Sequence, residues 1–188
     1  MATTFKASMF PVLLSLIIML LFATIFPSAV AVSVKLTVPD TSTICDKSMN
    51  NTFCESFMKS TAGISTADLA GAGGIILDVS SKSAAETEDY IKTQVAAGDP
   101  KLAEAYKKCL ENYRCAVSSI ADAKASLASK DYEGMNLKAS SAQSETDTCN
   151  EAVRGSGAAE TDPVPVRSRY MCNVLDIVLI IANKLQKG

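Results

Sequence analysis

Apolar positions divide this chain into one unbroken run and several periodic stretches. Residues 12–26 are almost wholly apolar (VLLSLIIMLLFATIF). Further on, Leu69, Ala72, Ile76, Val79, Ser83 and Tyr90 recur at helical steps, and predict a one-sided helix from Ser65 or Thr66 to about Ala97. Leu102, Tyr106, Cys109, Tyr113, Val117 and Ile120 mark a second helix, from Pro100 to about Ser129. Ala139, Ala142, Thr146, Cys149 and Val153 mark a third, with Asp131 as candidate cap and Gly155-Ser156-Gly157 as its end. Tyr170, Val174, Ile177, Val178, Ile181 and Leu185 mark a fourth, from Arg167 to Lys187, after a proline-containing loop over residues 158–166. Asp176 breaks that last apolar face and is expected to point outward. No stretch alternates with the period of two that a strand requires. Four long helices with mostly short corners predict an all-α, up-down-up-down four-helix bundle over residues 65–187.

The corner between the first two long helices is the most information-rich point. Gly98 suits a left-handed helix end. Asp99 can cap the next helix, and Pro100 fits its first turn. Lys101 stands beside the corner, and Leu102 opens the apolar stripe. Gly71, Gly73 and Gly74 weaken the start of the first long helix by roughly 1 kcal/mol each against alanine. They lack the preceding strand and following Lys-Ser/Thr of a phosphate-cradling loop. Close packing against a neighbouring helix is the better reading.

The apolar run at the start changes the domain count. It follows Lys6, and Ser28-Ala29-Val30-Ala31 offers small residues where a signal peptidase reads. The run is short for a bilayer span of roughly 20 residues. We read residues 1–31 as a secretory signal peptide and residues 32–188 as one domain. The expected product is secreted to the extracellular space or cell wall, the vacuole being an alternative, with no membrane attachment after cleavage. Residues 32–39 read as an extended lead. Residues 40–60 read as a helical hairpin with a turn at Met49-Asn50-Asn51. Asn50-Asn51-Thr52 is an N-glycosylation sequon at that tip, which makes Asn50 a candidate acceptor.

Charge and chemistry then narrow the function. Lys and Arg number 18 against 20 Asp and Glu, with no histidine and no tryptophan in 188 residues. Mild acidity without a basic tract argues against nucleic acid. Without histidine, Ser-His-Asp and Cys-His machinery is ruled out within this chain. The six cysteines show no paired CxxC spacing, so a disulfide framework is preferred to a metal site. Six cysteines allow 15 pairings. Cys45 with Cys54 is the local choice. Cys109 and Cys149 both face inward on successive antiparallel helices, and their bond would tie the two together. Cys115 with Cys172 would be a third bond only if their Cα atoms came within about 7 Å. Two free thiols are the alternative.

Together these residues resemble the plant invertase and pectin methylesterase inhibitor family. The likeness rests on the Cys45/Cys54 hairpin, Cys109 with Tyr113 and Ala116-Val117, the Lys130-Asp131-Tyr132 corner, and Ser141-Ala142 through Thr148-Cys149. Ser65 to Leu69 (STADL) and Ser129 to Tyr132 (SKDY) are similar to its pollen-protein branch. The resemblance implies a four-helix bundle with an N-terminal hairpin, bonds Cys45–Cys54 and Cys109–Cys149, no cofactor and no enzymatic activity. It implies a partner, expected to be acid invertase, with pectin methylesterase on the same scaffold as the alternative. Invertase inhibitors of the family carry Pro-Lys-Phe at the corner before the second helix. The matching residues here are Pro100, Lys101 and Leu102, so the ring has become an aliphatic side chain. On this reading residues 99–102 bind the partner, and the Lys101 ammonium enters the pocket where paired carboxylates act on sugar. A secreted structural bundle without an inhibitory partner is the reading from another class.

Overall fold

The computed structural model describes residues 38–98, 100–159 and 161–188. The expected signal peptide and residues 32–37 of the expected lead lie outside them. All regular structure among the described residues is helical. Two short helices, α1 (Val38–Cys45) and α2 (Asn51–Ser60), precede a 3-10 turn at Ile64–Thr66. Four long ones follow: α3 (Leu69–Ala97), α4 (Ala103–Ala128), α5 (Tyr132–Gly155) and α6 (Pro163–Leu185). Each long helix packs on the next and α3 packs on α6, which closes the up-down-up-down bundle.

Capping chemistry sets where the helices begin. Asp68 caps α3, accepting from Gly71 N–H at 2.7 Å. The expected caps Ser65 and Thr66 lie instead in the 3-10 turn, where Thr66 Oγ1 donates to Gly63 O at 3.0 Å. Asp131 caps α5 through Gly134 N–H at 2.8 Å. Asp162 caps α6 through Val164 N–H at 2.9 Å. That helix therefore begins four residues before the expected Arg167. Pro163 and Pro165 are no obstacle, because the first-turn N–H groups they lack have no partner within a helix. At the other end of the chain, Val38 and Pro39 are helical rather than extended.

Glycine spacing sets how closely the helices approach. A Cβ on Gly73 would stand 3.2 Å from Ile181 and 3.3 Å from Met135. The small residue is what lets α3 lie near α5 and α6, as the glycine-rich start suggested. The inward face of α5 is mostly small, with Ala139, Ala142, Thr146 and Cys149 fully buried. Bulkier residues of α6 fill the space opposite.

The hairpin explains why α6 is apolar nearly all round. Val174, Leu175, Ile177, Val178, Ile180, Ile181 and Ala182 are all buried. The bundle covers one side of the helix, and α1 and α2 cover another. Asp176, expected to face solvent, is only 8% exposed. Its Oδ2 accepts from Ser48 Oγ at 2.7 Å and Met49 N–H at 3.0 Å. The carboxylate is thus the latch that holds the hairpin turn on α6. Lys184 Nζ adds a bond to Thr43 Oγ1 at 3.0 Å. Cys45 and Cys54 are bonded, with Cα atoms 5.4 Å apart.

Candidate partner-binding corner

Two buried clusters divide the interior. The larger holds the hairpin and the adjoining part of the bundle. The smaller holds Ile91, Ala105, Tyr106, Cys109, Tyr113, Cys149, Val153 and Val164, and it underlies the α3–α4 corner. Cys109 and Cys149 are bonded at its centre, with Cα atoms 4.5 Å apart. Burial pushes the Tyr113 phenol up to about 12, and its hydroxyl shares a hydrogen bond with Ser168 at 3.0 Å. Tyr106 OH donates to Asp162 Oδ2 at 2.7 Å. One aspartate therefore caps α6 and anchors the start of α4.

On this floor stands the corner itself. Gly98 ends α3 in the left-handed region at φ 72°, its N–H bonded to Gln94 O at 3.3 Å. Asp99 lies outside the described residues. Pro100, Lys101 and Leu102 form a turn, and α4 begins at Ala103 rather than at Pro100. Leu102 is half-buried and packs on the smaller cluster, so its side chain belongs to the floor. Lys101 is exposed, but its ammonium end lies across the neighbouring α5–α6 corner. Lys101 Cε and Nζ are each 3.6 Å from where a Cβ on Gly157 would sit. Gly157 is itself left-handed at φ 81°. The two corners thus meet at one end of the bundle, with the lysine spanning them. Beside them runs a shallow groove of about 250 Å³, lined by Glu104, Ala105, Lys108, Ala152 and Ser156. Glu104 pairs with Lys107 at 2.7 Å on the exposed surface.

The structure also sets the hairpin tip apart from the corner. Asn50 is at the hairpin turn, beside Asp176, whereas the corner sits over Asp162. The two aspartates are about 20 Å apart along α6 at 1.5 Å per residue. Cys115 and Cys172 are both free. The third bond is therefore absent, because Cys115 faces solvent on α4 whereas Cys172 is turned toward α5, 3.4 Å from Thr146 Oγ1. Burial pushes the Cys172 thiol upward. Asp162 is absent from the expected site residues, whereas Asp176, expected to face solvent, is buried instead. The Asp162-Pro163 pair was a readable signal for the first, being a cap residue followed by the favoured first helical residue. Among the described residues no cluster of three or more His, Cys, Asp or Glu is placed to hold a metal. No helix there is long and apolar enough to cross a membrane.

Comparison with known proteins places this geometry. Residues 40–181 match the family described as plant invertase/pectin methylesterase inhibitor. Pectinesterase inhibitor 2 of Arabidopsis thaliana is 37% identical over 81% of this chain and 88% of its own length. A crystal structure of a mutant form of a pectin methylesterase inhibitor from Arabidopsis superposes with a TM-score of 0.71 at 32% identity. It covers 77% of this chain and 95% of its own. A Platanus acerifolia protein, provisionally named an invertase inhibitor, is 30% identical over 56% of this chain and 60% of its own length. With its latched hairpin and closed four-helix bundle, the chain belongs to the plant invertase/pectin methylesterase inhibitor family.

Proposed function

We propose that this protein is a secreted inhibitor of pectin methylesterase, made with a signal peptide cleaved after Ala31. One observation carries the choice of target. The relative named for pectinesterase inhibition matches at higher identity and over far more of the chain than the relative named for invertase. Leu102 agrees with that choice, since it lacks the ring of the invertase-inhibitor element and its aliphatic side chain is packed into the floor. Secretion is supported by the two disulfides, which belong to an oxidising compartment. The protein does no chemistry in this reading. A rigid helical surface covers the esterase, and its effect is steric exclusion of the polymer.

Acid invertase is the second reading, and the exposed Lys101 at a fixed corner favours it. To enter an anionic pocket the ammonium must leave its position over Gly157, which a side-chain rotation accomplishes. Titrating the purified protein against both enzymes, at mildly acidic and neutral pH, separates the readings. Loss of esterase activity alone supports the first. Loss of invertase activity alone overturns it, and Lys101→Glu should then abolish that inhibition. Activity unchanged in both enzymes returns the protein to the structural class.

A further inference from the structure

The hairpin turn carries a motif that the proposed function leaves unassigned. Asn50, Asn51 and Thr52 are all exposed. Asn50 is the cap of α2, its Oδ1 accepting from Phe53 N–H at 3.1 Å. The amide oxygen is committed, while Nδ2 makes no hydrogen bond among the described residues. N-glycosylation consumes one hydrogen of Nδ2 and leaves the oxygen as it was, so the cap survives the modification. The two disulfides put folding in the compartment where this transfer takes place. Next to Asn50, Met49 is 72% exposed. It overhangs a groove of about 370 Å³ whose other lining residues are Ser140, Gln143, Ser144, Asp147 and Cys172. A sugar chain on the adjoining residue would lie across this side chain.

We propose that Asn50 carries an N-linked glycan that shields Met49. Nδ2 attacks C1 of the reducing-end N-acetylglucosamine of a lipid-linked oligosaccharide diphosphate. The bond from C1 to the diphosphate oxygen breaks, the C1–N bond forms, Nδ2 releases one proton, and the lipid diphosphate departs. Nothing is oxidised or reduced. The glycan stands at the hairpin, remote from the corner over Asp162, and its presence does not depend on which enzyme is inhibited.

The test expresses the full chain in plant cells and measures the intact mass of the purified protein before and after peptide N-glycosidase A. The wild-type mass should fall by one oligosaccharide, and position 50 should read as aspartate in the released peptide. Thr52→Ala and Asn50→Asp should both lose the added mass. The second keeps an oxygen acceptor for Phe53 N–H, and unchanged helical circular dichroism would show that it folds. Met49 should oxidise more slowly in hydrogen peroxide before deglycosylation than after it. Unmodified Asn50 in wild-type protein, from whichever cell fraction it is recovered, overturns the assignment. Added mass that persists in Thr52→Ala does the same, and equal oxidation rates overturn the shielding of Met49.

Discussion

Gly134 shows how far a single position can depart from its average behaviour. In an ordinary helix, alanine is better than glycine by roughly 1 kcal/mol. Here an added Cβ would run into the Asp131 carboxylate and stand 2.8 Å from Ser126 Oγ. Gly134→Ala should therefore weaken the α5 cap and cost about 1–2 kcal/mol. Gly155→Ala is the control, since nothing lies within 4 Å of its added Cβ. Urea denaturation of the pair should give opposite signs, or loss against no change. The two thiols supply a second residue-scale test. Exposed Cys115 should react with a thiol reagent in the native protein, whereas Cys172, half-buried and held protonated by burial, should react fully only after unfolding. A protein without any titratable thiol would mean that the two cysteines pair after all.

At the scale of elements, the hairpin and the smaller cluster fail in different ways. Asp176→Ala removes the acceptor of both hairpin bonds and leaves Ser48 Oγ and Met49 N–H without it. It should cost about 1–3 kcal/mol and speed hydrogen exchange in α1 and α2 before it does so in α4 or α5. The smaller cluster answers to alkali instead. The folded state holds the Tyr113 proton more tightly than the unfolded chain does, its value standing at about 12 against an ordinary 10.0. Its contribution, on the order of 2 kcal/mol, is complete below the unfolded value and is lost as pH rises through the folded one. Tyr113→Phe should flatten the fall in stability between those two values, read by thermal unfolding across alkaline pH. Tyr170, also raised by burial, should leave a residual slope.

These elements also show what a sequence can and cannot reveal. The long helices were legible because Leu69, Ile76, Tyr106, Tyr113, Ala139 and Ile181 repeat with the period of a buried stripe. Their starts were harder to read, because Ser65, Thr66 and Asp68 compete for one cap and only packing chooses among them. Asp176 was misjudged because periodicity knows one buried face, and α6 has a second under the hairpin. At the corner, Lys101 was legible as a cation on a turn. Its rest position over Gly157 was not, since that contact joins corners 56 residues apart in sequence.

For the whole molecule, rigidity is what the structure supplies to the proposed inhibition. Cys109–Cys149 ties α4 to α5, Tyr106–Asp162 ties α4 to α6, and Asp176 fixes the hairpin. A surface held this way loses little conformational freedom on docking, which favours a tight complex without a large contact area. Residual pectin methylesterase activity against increasing molar ratio of this protein tests that most directly. Activity should fall linearly and reach its floor near one inhibitor per enzyme. Full esterase activity in the presence of excess inhibitor would contradict it.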